Sequence, residues 1–106
     1  MRTVAETDIF IKYAEAIWKE DERLEFISWI SSNPDAGDVI PGSGGCRKIR
    51  WSRSGMGKRG GARIIYFQSK ADAIWLLIIY TKSKFDSLPA SFLAKLKIEV
   101  ENAHRD

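Results

Sequence analysis

The nine residues AIWLLIIYT at positions 73–81 restrict the fold of this chain more than any other feature. The stretch is apolar from Ala73 to Tyr80, which predicts a strand buried on both faces. The stretch ARIIYFQ at 62–68 is a second run rich in β-forming residues. Because only the short turn at 69–73 separates the two runs, we expect them to form an antiparallel hairpin.

The remaining segments predict helices on either side of this hairpin. Apolar residues at helical spacing indicate two helices near the N-terminus, the first of them capped by Thr7 or Asp8. The second should end just before Pro34, because the residue preceding a proline avoids the helical region. Ser87 is the predicted cap of a C-terminal helix that has Pro89 in its first turn.

Two further segments are candidate strands. CRKIRWS at 46–52 alternates between apolar and polar residues, and TVAE at 3–6 has the composition of a short edge strand. With 106 residues the chain is long enough for one core, so we expect a single domain over 1–106. The predicted fold is α+β, with two N-terminal helices, a three- to four-stranded antiparallel sheet and a C-terminal helix.

Positive charge is concentrated in one part of the chain. Residues 47–63 carry seven Lys or Arg and no acidic residue, whereas the rest of the chain has a net charge of −4 and the whole +3. Such asymmetry indicates a polyanionic ligand. Cys46 is the only cysteine, the longest apolar run is far shorter than a membrane span, and no signal peptide is visible. We therefore expect a cytoplasmic protein with no membrane partner.

Several familiar sites can be set aside. Gly55, Gly57 and Gly60 form a G-x-G-x-x-G, but a strand follows where a dinucleotide site needs a helix, and a mobile loop explains them better. His104 is the only histidine and lies near the C-terminus, so a histidine-based triad has no base within the fold. Cys46 has no partner at metal-ligand spacing, and we expect neither a metal nor a cofactor.

The cations on the strands are the candidate catalytic residues. Strand alternation places Lys48 and Arg50 on one face of the first long strand, and Arg63 begins the next. Continuing the alternation past Tyr80 reaches Lys82 and Lys84. If the strands pair antiparallel, the five cations converge on one concave surface suited to a phosphate backbone.

Other residues are candidates for binding RNA or the ribosome. They are Arg47, Arg53, Lys58 and Arg59 of the basic segment, and Tyr80 of the apolar strand. Trp51, Tyr66 and Tyr80 have rings that can stack on unpaired bases or pack in the core, and the sequence leaves both alternatives open. For Trp75, which lies inside the apolar strand, a core position is the prediction.

Long stretches of the chain resemble the HigB-like branch of the RelE/ParE toxin superfamily. They are NPDAGDVIPGSGGCRKIRW, GKRGGARIIYF and LLIIYTKSK, and the resemblance extends over about residues 3–90. It implies a toxin of a type II toxin–antitoxin system that cleaves mRNA on the ribosome and is paired with an antitoxin, normally a DNA-binding protein. It also implies that Lys48, Arg50, Arg63, Lys82 and Lys84 are catalytic. The catalytic tyrosine that some members carry beyond the last strand has no counterpart after Tyr80.

A cationic site without histidine implies a particular chemistry. A lysine crowded by like charges has a lowered pKa and can act as a base on the ribose 2′-hydroxyl, while arginine stabilises charge on the phosphate. Two alternatives remain open. The chain is also compatible with a ParE-like toxin that binds DNA gyrase, or with an RNA-binding module that lacks catalysis.

Overall fold

A computed structural model describes residues 2–52, 61–70 and 72–104 of the chain. The elements, in chain order, are β1 (Thr3–Glu6), α1 (Asp8–Ile17), α2 (Glu20–Ser32), β2 (Asp38–Val39), β3 (Arg47–Trp51), β4 (Ala62–Gln68), β5 (Ala73–Thr81) and α3 (Ala90–Ala103). The strands of this described part form one sheet in the order β1-β5-β4-β3-β2. The β1 strand runs parallel to β5, and every other neighbouring pair is antiparallel.

The predicted α+β architecture is confirmed, including the β4–β5 hairpin and the C-terminal helix. The sheet is larger than the three or four strands expected, because the short strand β2 adds an outer partner to β3. The candidate edge strand at Thr3–Glu6 does form, and it pairs parallel to the first half of β5. None of the helices within the described residues is both long enough and apolar enough to cross a membrane.

Of the three helix boundaries predicted from the sequence, the start of α1 and the end of α2 are confirmed and the start of α3 is not. Thr7 caps α1, since its hydroxyl accepts a hydrogen bond from the backbone N–H of Phe10 at 3.0 Å. The α2 helix ends at Ser32, just before the Asn33–Pro34 pair, as predicted. The prediction that Ser87 caps the last helix is wrong. Pro89 occupies that position with an extended ψ of 138°, so the helix begins only at Ala90.

Both faces of β5 are covered, as its apolar sequence predicts. The α1 and α2 helices pack on one face, where Phe10, Phe26, Ile64, Leu76 and Ile79 are buried together. On the other face, Leu93 of α3 packs with Ile65, Phe67, Leu77 and Ile78. Near one end of the sheet, Arg50 is exposed and Arg63 is half-buried.

Tyr66 fastens the loop after α2 to the sheet. Its hydroxyl accepts a hydrogen bond from the Gly37 N–H at 2.8 Å and donates one to the Pro34 carbonyl at 2.9 Å. A Cβ atom at Gly37 would lie 2.9 Å from the tyrosine ring, so only glycine allows this approach. The loop therefore has a fixed position beside β3.

Replacing Tyr66 with phenylalanine should lower the free energy of unfolding by about 1–3 kcal/mol, because the buried Gly37 N–H loses its partner. The variant should also change the response to alkali. Burial raises the pKa of Tyr66 above its usual value of 10, so the folded state holds this proton more tightly than the unfolded chain. The stability that the folded state gains from the raised pKa of Tyr66 is complete at neutral pH and is lost as the pH rises above about 10.

Urea unfolding at pH 7 and at pH 10.5 tests both effects. The Tyr66→Phe variant should be less stable at pH 7 yet lose less stability between the two pH values. Equal losses in the variant and the unsubstituted protein would contradict this account of Tyr66. The Tyr80 phenol contributes the same alkaline effect to both proteins, because burial raises its pKa too.

Candidate nucleic-acid interface

Two arginines and a tyrosine form a row across three neighbouring strands. Arg50 of β3 lies opposite Arg63 of β4, and Arg63 lies opposite Tyr80 of β5. Residues directly opposite each other share a face of the sheet, and Lys48 shares that face by strand alternation. Lys48 and Arg50 are exposed, and Arg63 is half-buried. The pairing thus brings together three of the five predicted catalytic residues.

The charges of this row are not neutralised within the described part of the chain. Arg2, Arg23 and Arg47 each form an ion pair there, whereas neither Arg50 nor Arg63 has one. Like charges directly opposite each other in a sheet are destabilising. Two opposed arginines that the described residues provide with no counter-ion are suited to an anion from outside, such as a phosphate diester.

Lys48 has a different environment from the two arginines. It lies opposite Asp38 of the outer strand β2, so an acidic residue shares its row. Asp38 therefore offsets part of the charge of Lys48, whereas no acidic residue lies opposite Arg50 or Arg63 in the described sheet.

Tyr80 is almost fully enclosed, with 2% of its surface exposed. Its ring meets the edge of Phe85, with 6.0 Å between centroids. Burial raises the pKa of the Tyr80 phenol, and the positive charge of Arg63 acts in the opposite direction. The phenol is protonated at neutral pH and can donate a hydrogen bond, but its ring has no free face for a base.

Lys82 and Lys84 lie in a turn that follows β5. The strand ends at Thr81, whose carbonyl accepts a hydrogen bond from the Lys84 N–H at 3.0 Å. The alternation that we extended from Tyr80 to these lysines therefore stops at Thr81. Both side chains are exposed, and Lys84 lines a pocket together with Tyr80.

Arg47 lies on the opposite face, where its side chain forms a hydrogen bond and an ion pair. Its guanidinium donates to the Gly37 carbonyl at 2.7 Å and lies 3.6 Å from the Asp35 carboxylate. It therefore fastens the same loop as Tyr66 does, a role that the sequence analysis missed. The other predicted binding residues of this group, Arg53, Lys58 and Arg59, lie outside the described residues.

Two aromatic residues for which base stacking had been left open belong to the core. Trp51 packs against Phe26 and Trp29, with centroid distances of 5.2 and 4.9 Å. Tyr66 is fully buried. Trp75 is half-buried, and its ring lies 4.4 Å from that of His104. The full burial of Tyr66 leaves its ring no open face for a base.

The structure also places one feature that sequence reasoning did not find. A pocket of about 280 Å³ lies where α1 meets the end of β5, and it is lined by Lys12, Tyr13, Tyr80, Lys84 and Phe85 among others. The pattern of α1 gave no signal for it, because Lys12 and Tyr13 fit an ordinary amphipathic helix.

Residues with the chemistry of metal ligands or nucleophiles are not assembled in the described ranges. No group of three or more His, Cys, Asp or Glu side chains is placed there to hold a metal ion. Cys46 is fully buried, and burial raises the pKa of its thiol. A protonated, enclosed thiol is a poor nucleophile.

Comparison with known proteins supports the fold. A scan of protein-family models found no match. Among solved structures, the chain is similar to the Escherichia coli toxin RelE in its free state, in a form with two arginine-to-alanine substitutions. The TM-score is 0.63 at 13% sequence identity, and the alignment covers 92% of this chain and 97% of that one. The described architecture is thus a RelE-like fold.

Proposed function

We propose that this chain is the toxin of a type II toxin–antitoxin system, from the HigB-like branch of the RelE/ParE superfamily, and that it cleaves mRNA on the ribosome. The observation that carries the proposal is the pair Arg50 and Arg63 on adjacent strands of a RelE-like sheet, neither of which has an ion pair among the described residues. Guanidinium forks match the paired oxygens of a phosphate diester in geometry and charge.

The reaction that this site supports is an internal transfer of the phosphate. The ribose 2′-oxygen attacks the adjacent phosphorus, the bond to the 5′-oxygen breaks, and a 2′,3′-cyclic phosphate and a 5′-hydroxyl result. Arg63 and Arg50 bind the non-bridging oxygens, where negative charge increases in the transition state. Arg63 is the better placed of the two, because it lies in the middle of the row.

Two proton transfers complete the reaction. A base removes the proton of the 2′-hydroxyl, and an acid protonates the departing 5′-oxygen. The lysines near the row, Lys48, Lys82 and Lys84, are the candidates for both roles. Tyr80 reinforces the site as a neutral hydrogen-bond donor beside Arg63.

Activity should depend on the ribosome, because the exposed lysines are long and flexible and do not hold RNA in one geometry. Bound mRNA arrives already oriented, which removes much of the entropic part of the barrier. The protein should therefore cleave mRNA in initiated ribosomes at least about 100-fold faster than the same mRNA free in solution. Primer extension locates the cuts, and mass spectrometry of the fragments identifies the cyclic phosphate. Equal rates on free and bound mRNA would overturn ribosome dependence.

The partner implied by this function is an antitoxin that neutralises the toxin. Acidic or apolar segments of such a protein would cover the Arg50–Arg63 face or prevent entry into the ribosome. Co-expression with a neighbouring small gene for a DNA-binding protein should restore growth to cells that produce this chain.

A further inference from the structure

The pocket between α1 and the end of β5 is lined mainly by apolar and aromatic groups. Tyr13 of the helix and Phe85 of the turn after β5 are half-buried and can offer ring surface to a base, whereas Tyr80 of the strand is almost fully enclosed and contributes only to the wall. Its volume is about 280 Å³, and it opens to solvent beside Lys12 and Lys84, which are both exposed. The described residues provide neither of these lysines with an acidic partner.

Aromatic walls with cations at the mouth are the chemistry that binds single-stranded nucleic acid. A base is flat and apolar on its faces, and a phosphate always accompanies it. We propose that this pocket is a subsite for one nucleobase of single-stranded RNA, with the adjoining phosphate bound by Lys12 and Lys84.

The location of the pocket connects it to the cationic row. Tyr80 forms part of its wall and lies opposite Arg63 in the sheet. An RNA strand whose phosphate lies on Arg63 therefore has a neighbouring nucleotide within reach of the pocket. The inference rests on the proposed function for its biological meaning, but the binding itself can be measured without cleavage.

Polar groups at the mouth give the pocket a means to distinguish bases. Thr81 is one of the lining residues, and its hydroxyl shares a hydrogen bond of 3.0 Å with the Ser83 hydroxyl. The Thr81 hydroxyl can rotate to donate to a base edge or accept from it. A subsite of this kind would add sequence preference to cleavage.

NMR titration with the four nucleoside 3′-monophosphates tests the subsite directly. At least one nucleotide should shift the amide signals of Ala16, Thr81 and Phe85, whereas ribose 5-phosphate should bind at least about tenfold more weakly because it has no base to stack. Equal affinity for the nucleotide and ribose 5-phosphate would overturn the proposal, as would shifts confined to other parts of the protein.

Substitutions give a second measurement. Ala16 is exposed and lines the pocket, so Ala16→Leu should fill the space without disturbing the helix and lower nucleotide affinity about tenfold. Lys12→Ala should lower it about tenfold as well, whereas Lys95→Ala, an exposed lysine on α3 away from the pocket, should have no effect. Wild-type affinity in Ala16→Leu would overturn the assignment.

The same variants distinguish failure of the subsite from failure of the proposed function. If the protein binds nucleotides in the pocket but cuts no mRNA on ribosomes, the subsite stands and the nuclease proposal falls. If it cuts mRNA and Ala16→Leu cuts the same sites at the same rate, the subsite falls alone. If Ala16→Leu loses only neutralisation by the antitoxin and binds nucleotides normally, the pocket serves a protein partner and the proposal is wrong.

Discussion

Replacing Arg63 with alanine should reduce mRNA cleavage on ribosomes by about 10²- to 10³-fold. Arg63 is the middle residue of the row, and a single donor to charge developing in a transition state typically contributes an effect of this size. Arg63→Lys keeps the charge but loses the planar fork, so it should recover only part of the rate. Single-turnover cleavage of mRNA in initiated ribosomes is the measurement.

Stability provides the control for this prediction. Arg63 lies opposite Arg50 and has no ion pair among the described residues, so Arg63→Ala relieves a repulsion and breaks no ion pair there. We expect the variant to unfold at the same temperature or higher while it loses activity. Arg2→Ala is the matched charge control, because Arg2 pairs with Asp72 at the surface and far along the sheet. It should leave both cleavage and stability nearly unchanged.

A comparison of two variants separates the nuclease from its alternatives. Arg63→Ala and Lys82→Ala should both allow translation and leave mRNA intact when produced in cells. If both still block translation without any cleavage of mRNA, the nuclease proposal is wrong. ATP-dependent supercoiling of relaxed DNA by purified gyrase should then be inhibited by the chain, as expected for a ParE-like toxin.

Strand alternation was enough to predict much of this site. Because side chains alternate with a period of two, the sequence placed Lys48 with Arg50, and Arg47 on the opposite side, before any pairing was known. The structure adds the register, which puts Arg50 directly opposite Arg63. Register depends on contacts between distant segments, so a single sequence does not provide it.

Other features depend on tertiary contacts that no local pattern encodes. Arg47 was predicted to bind RNA from its charge alone, and only the folded loop shows its guanidinium on the Gly37 carbonyl. Base stacking was left open for Tyr66 until its hydroxyl proved to be bound to Gly37 and Pro34. Alternation could not place Lys82 or Lys84 either, because it ends where β5 ends.

Replacing Phe26 with alanine should lower the free energy of unfolding by about 3–5 kcal/mol. Phe26 is fully buried, and its ring lies 5.5 Å from that of Trp18 and 5.2 Å from that of Trp51. The substitution loses the apolar burial, leaves a cavity and removes these two aromatic pairs and a third with Trp29. Since a domain of this size is stable by only about 5–15 kcal/mol, the loss is a large fraction of the total.

The aromatic cluster of Phe26, Trp18 and Trp51 also fixes the position of the strand that carries Arg50. Trp51 is the next residue in β3, and its packing against Phe26 fixes the end of that strand on the helical layer. Urea unfolding followed by tryptophan fluorescence measures the change, and Phe92→Ala is the matched control. Phe92 is 43% exposed, so the same substitution there should cost less than about 1 kcal/mol. Similar losses for the two variants would contradict the packing described for Phe26, and with it the support that this cluster gives to Arg50.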